Sequence, residues 1–286
     1  MNDILFGNNN RPIIKKLSRR YFKASKSRNI IAIVAIVLTT VLFTTIFTLG
    51  SGLIDTVQDQ NIRKAGGDGQ AVLNYISDEV FNDVKGNELI DRIAYSKAVS
   101  YRLNDPGLAK WRSDMWYMDD TALEFARYEP TVGHRPEAEN EIIADTKTLE
   151  ALGVPAEIGA TVTLDYEIKG KEYTTDFTLC GFWETDSLSN IGRIIVSKAF
   201  IDNHADLLTY TYPVDNDYSG VVTAYIMFRS GGSVEEKLQQ LLMETGYTCD
   251  TLGGQPTDEN YIIARVSPAY QSSPVSENSA LFIAGI

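Results

Sequence analysis

The sequence is poor in the residues from which most catalytic and metal centres are built. Its 286 residues include only two cysteines and two histidines, and no G-x-x-x-x-G-K-[ST], H-E-x-x-H or G-x-S-x-G motif occurs. The chain therefore lacks a P-loop for ATP, a zinc-protease helix and a nucleophile elbow. We predict that it is not an enzyme and has no cofactor and no metal site. An anchored envelope enzyme is the least favoured function.

The few cysteines and histidines are interpreted individually. His134 and His204 are about 70 residues apart, and we interpret them as turn or surface residues, since zinc ligands usually come in closely spaced sets. Cys180 and Cys249 permit one disulfide in an oxidising compartment. Cys180 also lies in an apolar strand pattern, where a buried free thiol behaves as a small hydrophobe. Both states of the cysteines stay open.

Charge is absent from residues 29–50 and unevenly spread elsewhere. The formal net charge of −12 divides into +7 over residues 1–28, zero over residues 29–50 and −19 over the remainder. This segregation excludes a single soluble globule. It also argues against nucleic-acid binding, because the large folded part is acidic and repels phosphates.

The uncharged segment predicts a transmembrane helix at residues 29–50. Its core, residues 30–49, contains no charge, proline or glycine, and 20 helical residues span about 30 Å, the thickness of the hydrocarbon core. A buried core helix and a cleaved signal peptide are the less favoured alternatives. Because Lys and Arg concentrate before the span, residues 1–28 are predicted to be cytoplasmic and the main domain extracytoplasmic.

The basic head is predicted to bind the inner membrane surface. Ile14, Leu17 and Tyr21 are spaced as one face of a short amphipathic helix. A solvated flank that stops translocation is the alternative. The proposed basic anchor consists of Lys15, Lys16, Arg19, Arg20, Lys23, Lys26 and Arg28.

The other end of the sequence is also apolar. After a polar stretch at residues 267–278, the sequence ends in ALFIAGI, residues 280–286. Seven apolar residues are too few to span a bilayer. We therefore interpret residues 268–286 as a linker and the start of a second transmembrane helix, with a C-terminal strand as the alternative.

The segment between the two apolar runs predicts an α+β domain of two lobes. Residues 51–69 are interpreted as a stalk and linker. Residues 70–104 and 221–267 each predict a strand–helix–strand unit, and together form lobe one. Residues 105–220, mainly β, are interpreted as an inserted lobe two.

Several local signals support these units. Ser77 is predicted to cap a helix that carries Val80, Phe81, Val84, Leu89, Ile90 and Ile93, with an interruption at Gly86 as the alternative. Ser233 and Glu236 match a capping box. In the middle segment, residues 161–168 and 173–182 predict a hairpin around Lys169-Gly170.

Two clusters are candidate contact sites. Trp111, Trp116 and Tyr117 are close in sequence and are interpreted as a surface for a hydrophobic ligand or partner, or as core between the lobes. The acidic pairs Asp119-Asp120 and Asp215/Asp217 are interpreted as solvated loop charge rather than as Ca²⁺ ligands or general acids.

The sequence also resembles a family of membrane proteins. KKLSRRYFKASKSRN, before the apolar run, resembles the amino-terminal signature of FtsX-like ABC-transporter permeases. GHRPEAENEIIADTKTLEALG, EIGATVTL and FTLCGFWE resemble the extracytoplasmic core domain of MacB-like permeases, and RIIVSKAFID and VVTAYIMFRSGGSVEEKLQQLL resemble its later elements. His134 stands inside the Gly-Arg-x-Pro pattern, and Ala160 stands where the family often has Asp. The matching positions, interpreted as structural, are Gly133, Arg135, Pro136, Asn140, Glu141, Gly159 and Gly181.

The resemblance, which extends from about Lys15 to the terminal apolar run, implies a permease subunit of an ABC transporter in the bacterial plasma membrane. It implies a cytoplasmic ABC ATPase as partner, on a separate chain or on a missing segment, and a homodimer or pseudo-dimer of permease halves. It also implies that ATP hydrolysis moves the outer domain, which exports or extracts a substrate or regulates an envelope partner. A membrane-anchored sensor or adaptor that binds an envelope ligand is the alternative function.

Overall fold

The computed structural model describes residues 11–65, 67–101, 103–210, 218–229, 231 and 233–271. The chain divides into two compact units, Met1–Thr56 and Val57–Ile286. The predicted second span at residues 280–286 and the acidic pair Asp215/Asp217 lie outside the described residues.

The helices and strands alternate along the second unit, which confirms the α+β class. The helices are α1 (Arg11–Ala24), α2 (Lys26–Ala65), α3 (Asp78–Val84), α4 (Asp120–Ala126), α5 (Thr146–Ala151), α6 (Lys198–Asn203), α7 (Val234–Thr245) and α8 (Pro268–Gln271). The strands are β1 (Ala71–Ile76), β2 (Ile90–Ser100), β3 (Ser113–Met118), β4 (Val132–Gly133), β5 (Glu141–Asp145), β6 (Thr161–Ile168), β7 (Lys171–Trp183), β8 (Gly192–Val196), β9 (Val222–Phe228) and β10 (Ile263–Val266).

The first unit consists of α1 and most of α2. Residues Lys26–Gly50 of α2 are long and apolar enough to cross a membrane by length and composition, and none of them is buried. The threonines of this segment donate to the carbonyl four residues earlier, as Thr39 does to Ala35 and Thr45 does to Val41, each at 2.8 Å. These bonds satisfy the hydroxyls within the helix, so the threonines are compatible with a lipid environment.

The described strands of the second unit form one sheet in the order β10-β1-β9-β2-β3-β8-β5-β7-β4, with β6 paired to β7. β1 pairs antiparallel with both β10 and β9, and β9 pairs antiparallel with β2. The units β1-α3-β2 and β9-α7-β10 therefore interleave, since each has a strand of the other between its own two strands. This is the split β-α-β arrangement, and it agrees with the predicted strand–helix–strand units.

The rest of the sheet is built from the segment between β2 and β9. β3 pairs antiparallel with β2 and parallel with β8. The sheet therefore continues without a break from the split β-α-β strands into the strands of the segment between β2 and β9. The predicted β6–β7 hairpin is confirmed, and its two loop residues, Lys169 and Gly170, both have positive φ, as a type I′ turn requires. The division of this unit into two lobes stays a prediction.

The split β-α-β strands and the segment between β2 and β9 nevertheless each have their own apolar core. Ile76, Ile226 and Leu241 belong to a cluster between the split β-α-β strands and helix α7. Ile142, Phe177 and Phe200 belong to a second cluster around β5, β7 and α6. These clusters position the strands whose ends and faces line the site described below.

Two local predictions on lobe one were wrong. The helix after Ser77 ends at Val84, and Ile90 and Ile93 lie in strand β2. The side chain of Asn87 accepts a hydrogen bond from Leu89 N at 2.9 Å, which offers the backbone an alternative to the helix. Ser233 occupies the N-cap of α7, but its side chain makes no capping bond, so the predicted capping box is not formed.

Candidate functional site

A cavity of about 470 Å³ opens on one face of the sheet in the second unit. Five strands and the last turns of α2 contribute to its wall. Its lining residues are Arg63, Asn74, Tyr75, Ser96, Tyr101, Trp116, Met118, Tyr128, Leu188, Ser189, Asn190, Ile191, Arg193, Thr223 and Tyr225. The volume lies within the range of small-molecule sites in proteins.

Strand alternation brings the aromatic residues to this face. Trp116 and Met118 are two residues apart on β3, so both point to the same side of the sheet. Tyr75 has φ of 54°, at a register shift of β1 between Leu73 and Ile76. Such backbone strain costs about 1–3 kcal/mol in a residue other than glycine, and it is stored here at the cavity wall.

The aromatic rings contact one another. The ring of Tyr101 lies edge-on to Trp116 at a centroid distance of 5.3 Å, and Tyr218 contacts both Tyr75 and Tyr101 at 5.3 and 5.7 Å. Burial raises the pKa of Tyr101 above its usual range, as it also does for Tyr128 and Tyr225. The phenols are therefore neutral near pH 7 and keep an O–H to donate.

Two arginines supply the charge of the wall. Arg193 Nη1 lies 2.9 Å from Asp114 Oδ2, and its guanidinium carbon is 5.7 Å from the centre of the Trp116 ring. Arg63, in the last turn of α2, lies 3.1 Å from Asp186. No lining residue carries a carboxylate. Burial raises the pKa of Asp114, and the opposing charge of Arg193 counteracts this shift.

One polar group at this wall is unsatisfied. Trp116 is 7% exposed, and among the described residues its Nε1 is buried without a hydrogen-bond partner. A buried donor without a partner costs about 1–3 kcal/mol, so it calls for an explanation.

A second cavity of about 430 Å³ shares Arg63, Tyr128 and Ser189 with the first. Trp183 and Asp186 contribute to its wall. Because Arg63 and Asp186 are ion-paired at the shared border, the end of α2 helps to shape both cavities.

The structure does not bring the predicted cluster Trp111, Trp116 and Tyr117 together. Trp116 alone lines the cavity. Trp111 is buried elsewhere, where its Nε1 donates to Thr148 Oγ1 at 3.1 Å and Lys147 Nζ lies 3.7 Å from its ring centre. Tyr117 points to the opposite face of β3 and packs against the cluster that contains Phe200. Closeness in sequence was therefore a poor guide to a shared surface, because neighbouring residues in a strand face opposite sides of the sheet.

The prediction that Asp119 is solvated loop charge was also wrong. It caps α4 by accepting a hydrogen bond from Ala122 N at 2.8 Å. It is half-buried, and burial raises its pKa, so it is not solvated loop charge. Asp120, its neighbour, is exposed and forms an ion pair with Arg135 at 2.6 Å.

The positions of the family resemblance gather around β7. Gly133 of β4 pairs in register with Gly181 of β7. Asn140 accepts from Thr178 N at 2.7 Å, and Gly159 N donates to Leu179 O at 2.8 Å. Arg135 forms ion pairs with Glu129 and Asp120, and the half-buried Pro136 follows it in the loop before β5. Their contacts agree with a structural role for these residues, which stays a prediction.

The residues of the basic anchor lie on the first unit. Lys15, Lys16, Arg19, Arg20 and Lys23 are exposed on α1, and Lys26 and Arg28 are in the first turn of α2. On α1 the apolar side chains Ile13, Ile14, Leu17 and Tyr21 are each at least 59% exposed. The helix is thus two-sided, with an apolar stripe that is uncovered within the described chain.

One group of described residues has metal-ligand chemistry. His134, Glu141 and Cys180 each offer a ligand atom, and the three atoms lie within 4.8 Å of one another. Sequence reasoning missed this group, because Glu141 and Cys180 become neighbours only through the pairing of β5 with β7. All three are already engaged, and His134 Nδ1 lies 2.8 Å from Arg135 O. Glu141 accepts from the amides of residues 137 and 138, and Cys180 Sγ lies 3.3 Å from Ile142 O.

Both cysteines are free and buried. Cys180 belongs to a cluster with Trp116 and Ile195, whereas Cys249 packs among the split β-α-β residues. Burial raises the pKa of Cys180 to about 12, which makes its thiol inert near neutral pH.

Comparison with known proteins finds similar solved structures. The chain is similar to the extracellular domain of the noncanonic ABC-type transporter YknZ from Gram-positive bacteria, with 11% identity over 70% of this chain and 99% of that one, and a TM-score of 0.43. It is also similar to the periplasmic region of MacB from Actinobacillus actinomycetemcomitans, with 12% identity over 74% of this chain and 94% of that one, and a TM-score of 0.42. No family model and no curated protein matches the chain.

Both similar structures are domains that lie outside the membrane in their own proteins. With TM-scores below 0.5, neither of them assigns an activity or a substrate to this chain.

Proposed function

We propose that the chain is the membrane-anchored part of an ABC-type permease, with its second unit on the outer side of the plasma membrane. The observation that carries this proposal is the charge segregation along the chain. A head of net charge +7 precedes the uncharged segment of α2, and the rest of the chain has a net charge of −19. The positive-inside rule then assigns the head to the cytoplasm.

The two-sided form of α1 supports the same orientation. Its apolar stripe suits the boundary between headgroups and acyl chains, while its Lys and Arg residues suit the anionic headgroups of the inner leaflet. Each basic residue near such a surface contributes about 1 kcal/mol. Helix α1 is therefore proposed to lie along the cytoplasmic face of the membrane, where the ATPase partner also acts.

A cytoplasmic ABC ATPase, on a separate chain or on a segment outside these 286 residues, is proposed to drive the permease, because these residues contain no P-loop. Its ATP cycle would move the outer unit through the membrane helices of a homodimer or pseudo-dimer. Helix α2 is the element proposed to carry this motion, since its last turns belong to the second unit, where Arg63 pairs with Asp186.

Cysteine labelling tests the orientation. Ser18→Cys and Glu137→Cys are introduced singly into the full chain in cells, and a membrane-impermeant maleimide is added before or after lysis. We expect labelling of position 137 in intact cells and of position 18 only after lysis. The native cysteines are buried, so the unsubstituted chain is the blank. The reverse pattern would refute the orientation.

Purification from native membranes tests the transport assignment. We expect the natural full-length protein to copurify with a P-loop subunit and to show ATP hydrolysis that vanadate inhibits. A copurifying kinase or cyclase, or the absence of an ATPase, would instead favour the second candidate, an anchored sensor or adaptor. The aromatic cavity is the observation that favours that candidate, because a sensor needs a ligand site outside the membrane.

A further inference from the structure

We propose that the cavity of about 470 Å³ in the second unit binds a neutral saccharide. The C–H faces of the sugar would pack on the rings of Tyr101 and Trp116. Its hydroxyl groups would form hydrogen bonds with the side chains of Asn74, Ser96 and Thr223. This inference goes beyond the permease assignment and does not rest on it, since the site is argued from the contacts of the second unit alone.

The charged groups of the wall are paired within the chain, which favours a neutral ligand. Arg63 lies 3.1 Å from Asp186, and Arg193 lies 2.9 Å from Asp114. Arg193 also forms a hydrogen bond with the hydroxyl of Tyr128. Both guanidinium groups are thus engaged. A charged ligand would lose its hydration here without gaining an unpaired opposite charge.

Three polar side chains on the sheet supply hydrogen-bonding groups to the cavity. Asn74 of β1, Ser96 of β2 and Thr223 of β9 line it. Within the described part of the chain, none of the three makes a side-chain hydrogen bond. Ser96 and Thr223 are register partners on adjacent strands, so their side chains are neighbours on one face of the sheet. A ligand hydroxyl both donates and accepts, so a hydroxylated ligand matches hydroxyl and carboxamide groups alike.

The aromatic rings define the other surface of the ligand. The cavity is lined by Tyr75, Tyr101, Trp116, Tyr128 and Tyr225. The ring contacts at this wall have interplanar angles of 46°, 77° and 70°, so the wall curves around a ligand and does not form a flat slot for another aromatic ring. A sugar ring has C–H groups on its faces and hydroxyls at its rim. The C–H groups suit the negative faces of aromatic rings, while the hydroxyls reach the polar side chains.

Trp116 provides an independent indication. It lines the cavity and is 7% exposed, and its Nε1 is buried without a hydrogen-bond partner among the described residues. A shift of a neighbouring side chain on ligand entry would bring an acceptor to this N–H. A hydroxyl or carbonyl oxygen of a sugar supplies such an acceptor, whereas a purely apolar guest would leave the donor unsatisfied.

The test follows the indole N–H signals of the full chain in lipid nanodiscs by ¹⁵N–¹H NMR. The chain has three tryptophans, and Trp116→Phe assigns the signal of Trp116. The neutral probes are methyl β-glucoside and N-acetylglucosamine, each titrated to about 50 mM so that millimolar affinities are measured. Glucuronate has the same ring with a carboxylate, and adenosine combines hydroxyls with a flat aromatic base.

We expect at least one neutral sugar to shift the Trp116 signal saturably. The Trp111 signal should shift little, because Trp111 lies outside the cavity, where its Nε1 donates to Thr148. Glucuronate and adenosine should each bind at least threefold more weakly than that sugar, since one adds an unpaired charge and the other a flat ring.

The variants test the polar groups and the rings separately. Thr223→Val keeps the shape of the side chain and removes one hydrogen bond, so the sugar should bind about threefold to tenfold more weakly. Thr161→Val is the matched control, because Thr161 is exposed on β6 and does not line the cavity. It should leave the affinity unchanged. Tyr101→Leu should weaken binding more than Tyr101→Phe, which keeps the ring.

Several outcomes would overturn the proposal. The absence of a saturable Trp116 shift with both neutral sugars would remove the saccharide site. Tighter binding of glucuronate would assign the cavity to anions, and tighter binding of adenosine would assign it to flat aromatic ligands. An equal loss of affinity in Thr223→Val and Thr161→Val would remove the role of the sheet hydroxyls. The signals of Trp111 and Trp183 report in each variant that the unit is folded.

Discussion

Arg193 of β8 and Asp114 of β3 are register partners on adjacent parallel strands, and their side chains form an ion pair at 2.9 Å. The Asp114 side chain is only 3% exposed, whereas its second partner, Arg112, is 66% exposed. The buried carboxylate therefore depends mainly on Arg193. The pair holds β3 and β8 together at the point where both strands line the aromatic cavity.

Arg193→Met should lower the free energy of unfolding by about 3 kcal/mol at neutral pH, because it leaves a buried charge without its main partner. Arg112→Met, an exposed control, should cost about 1 kcal/mol or less. Urea unfolding of the full chain in detergent micelles, followed by tryptophan fluorescence, measures both, since all three tryptophans lie in the second unit. Equal costs for the two variants would contradict the assigned dependence.

The free energy of unfolding of Arg193→Met should depend on pH, and the direction follows from the pKa of Asp114. Burial raises the pKa of Asp114 and Arg193 opposes the shift, so its removal raises the pKa further. The folded variant then retains a proton that the unfolded chain has released, and stability falls as pH rises from about 4 upward. The deficit relative to the parent chain should therefore shrink on acidification. A deficit that is constant with pH would contradict this explanation.

Local sequence patterns predicted several of the helices and strands. They failed where contacts between residues distant in sequence determine the structure. The β6–β7 hairpin was predicted from the alternation of apolar and polar residues and from the turn residues Lys169-Gly170. Strand β3 was missed, because it lies between β2 and β8 and its first four residues are all buried, which removes the alternation that identifies a strand. The cavity could not be predicted, since its wall combines residues from Arg63 to Tyr225 that only the sheet order brings together.

The two serine caps make a matched pair for a stability test. Ser77 Oγ accepts from Val80 N at 3.3 Å, whereas Ser233 makes no side-chain capping bond. Ser77→Ala should lower the free energy of unfolding by about 1 kcal/mol, and Ser233→Ala should change it by a few tenths at most. The same urea titration compares them. A larger cost at Ser233 would reverse the assignment of the two caps.

Gly133 and Gly159 separate the effect of crowding from that of backbone conformation. Both have positive φ, at 85° and 89°. A Cβ at Gly133 would lie 2.1 Å from Cys180 O, whereas a Cβ at Gly159 would meet nothing within 4 Å. Gly159→Ala should cost about 1–3 kcal/mol from strain alone. Gly133→Ala should cost clearly more, because the overlap is relieved only if β4 moves away from β7. Equal unfolding midpoints for the two variants would contradict this expectation, because they would show that β4 moves away from β7 at little cost.

Cys180 decides whether His134, Glu141 and Cys180 act as a metal site. Metal binding requires the thiolate, but burial raises the pKa of Cys180 to about 12, and Ile142 O lies 3.3 Å from its sulfur. Stoichiometric Cd²⁺ near pH 7 should therefore give no thiolate-to-cadmium absorption band in the folded chain, and iodoacetamide should modify Cys180 only after unfolding. The Cys180→Ser variant provides the baseline for both measurements. A band that disappears in Cys180→Ser and in His134→Ala would establish a metal centre at this corner, since the ion would then have displaced the proton that burial retains.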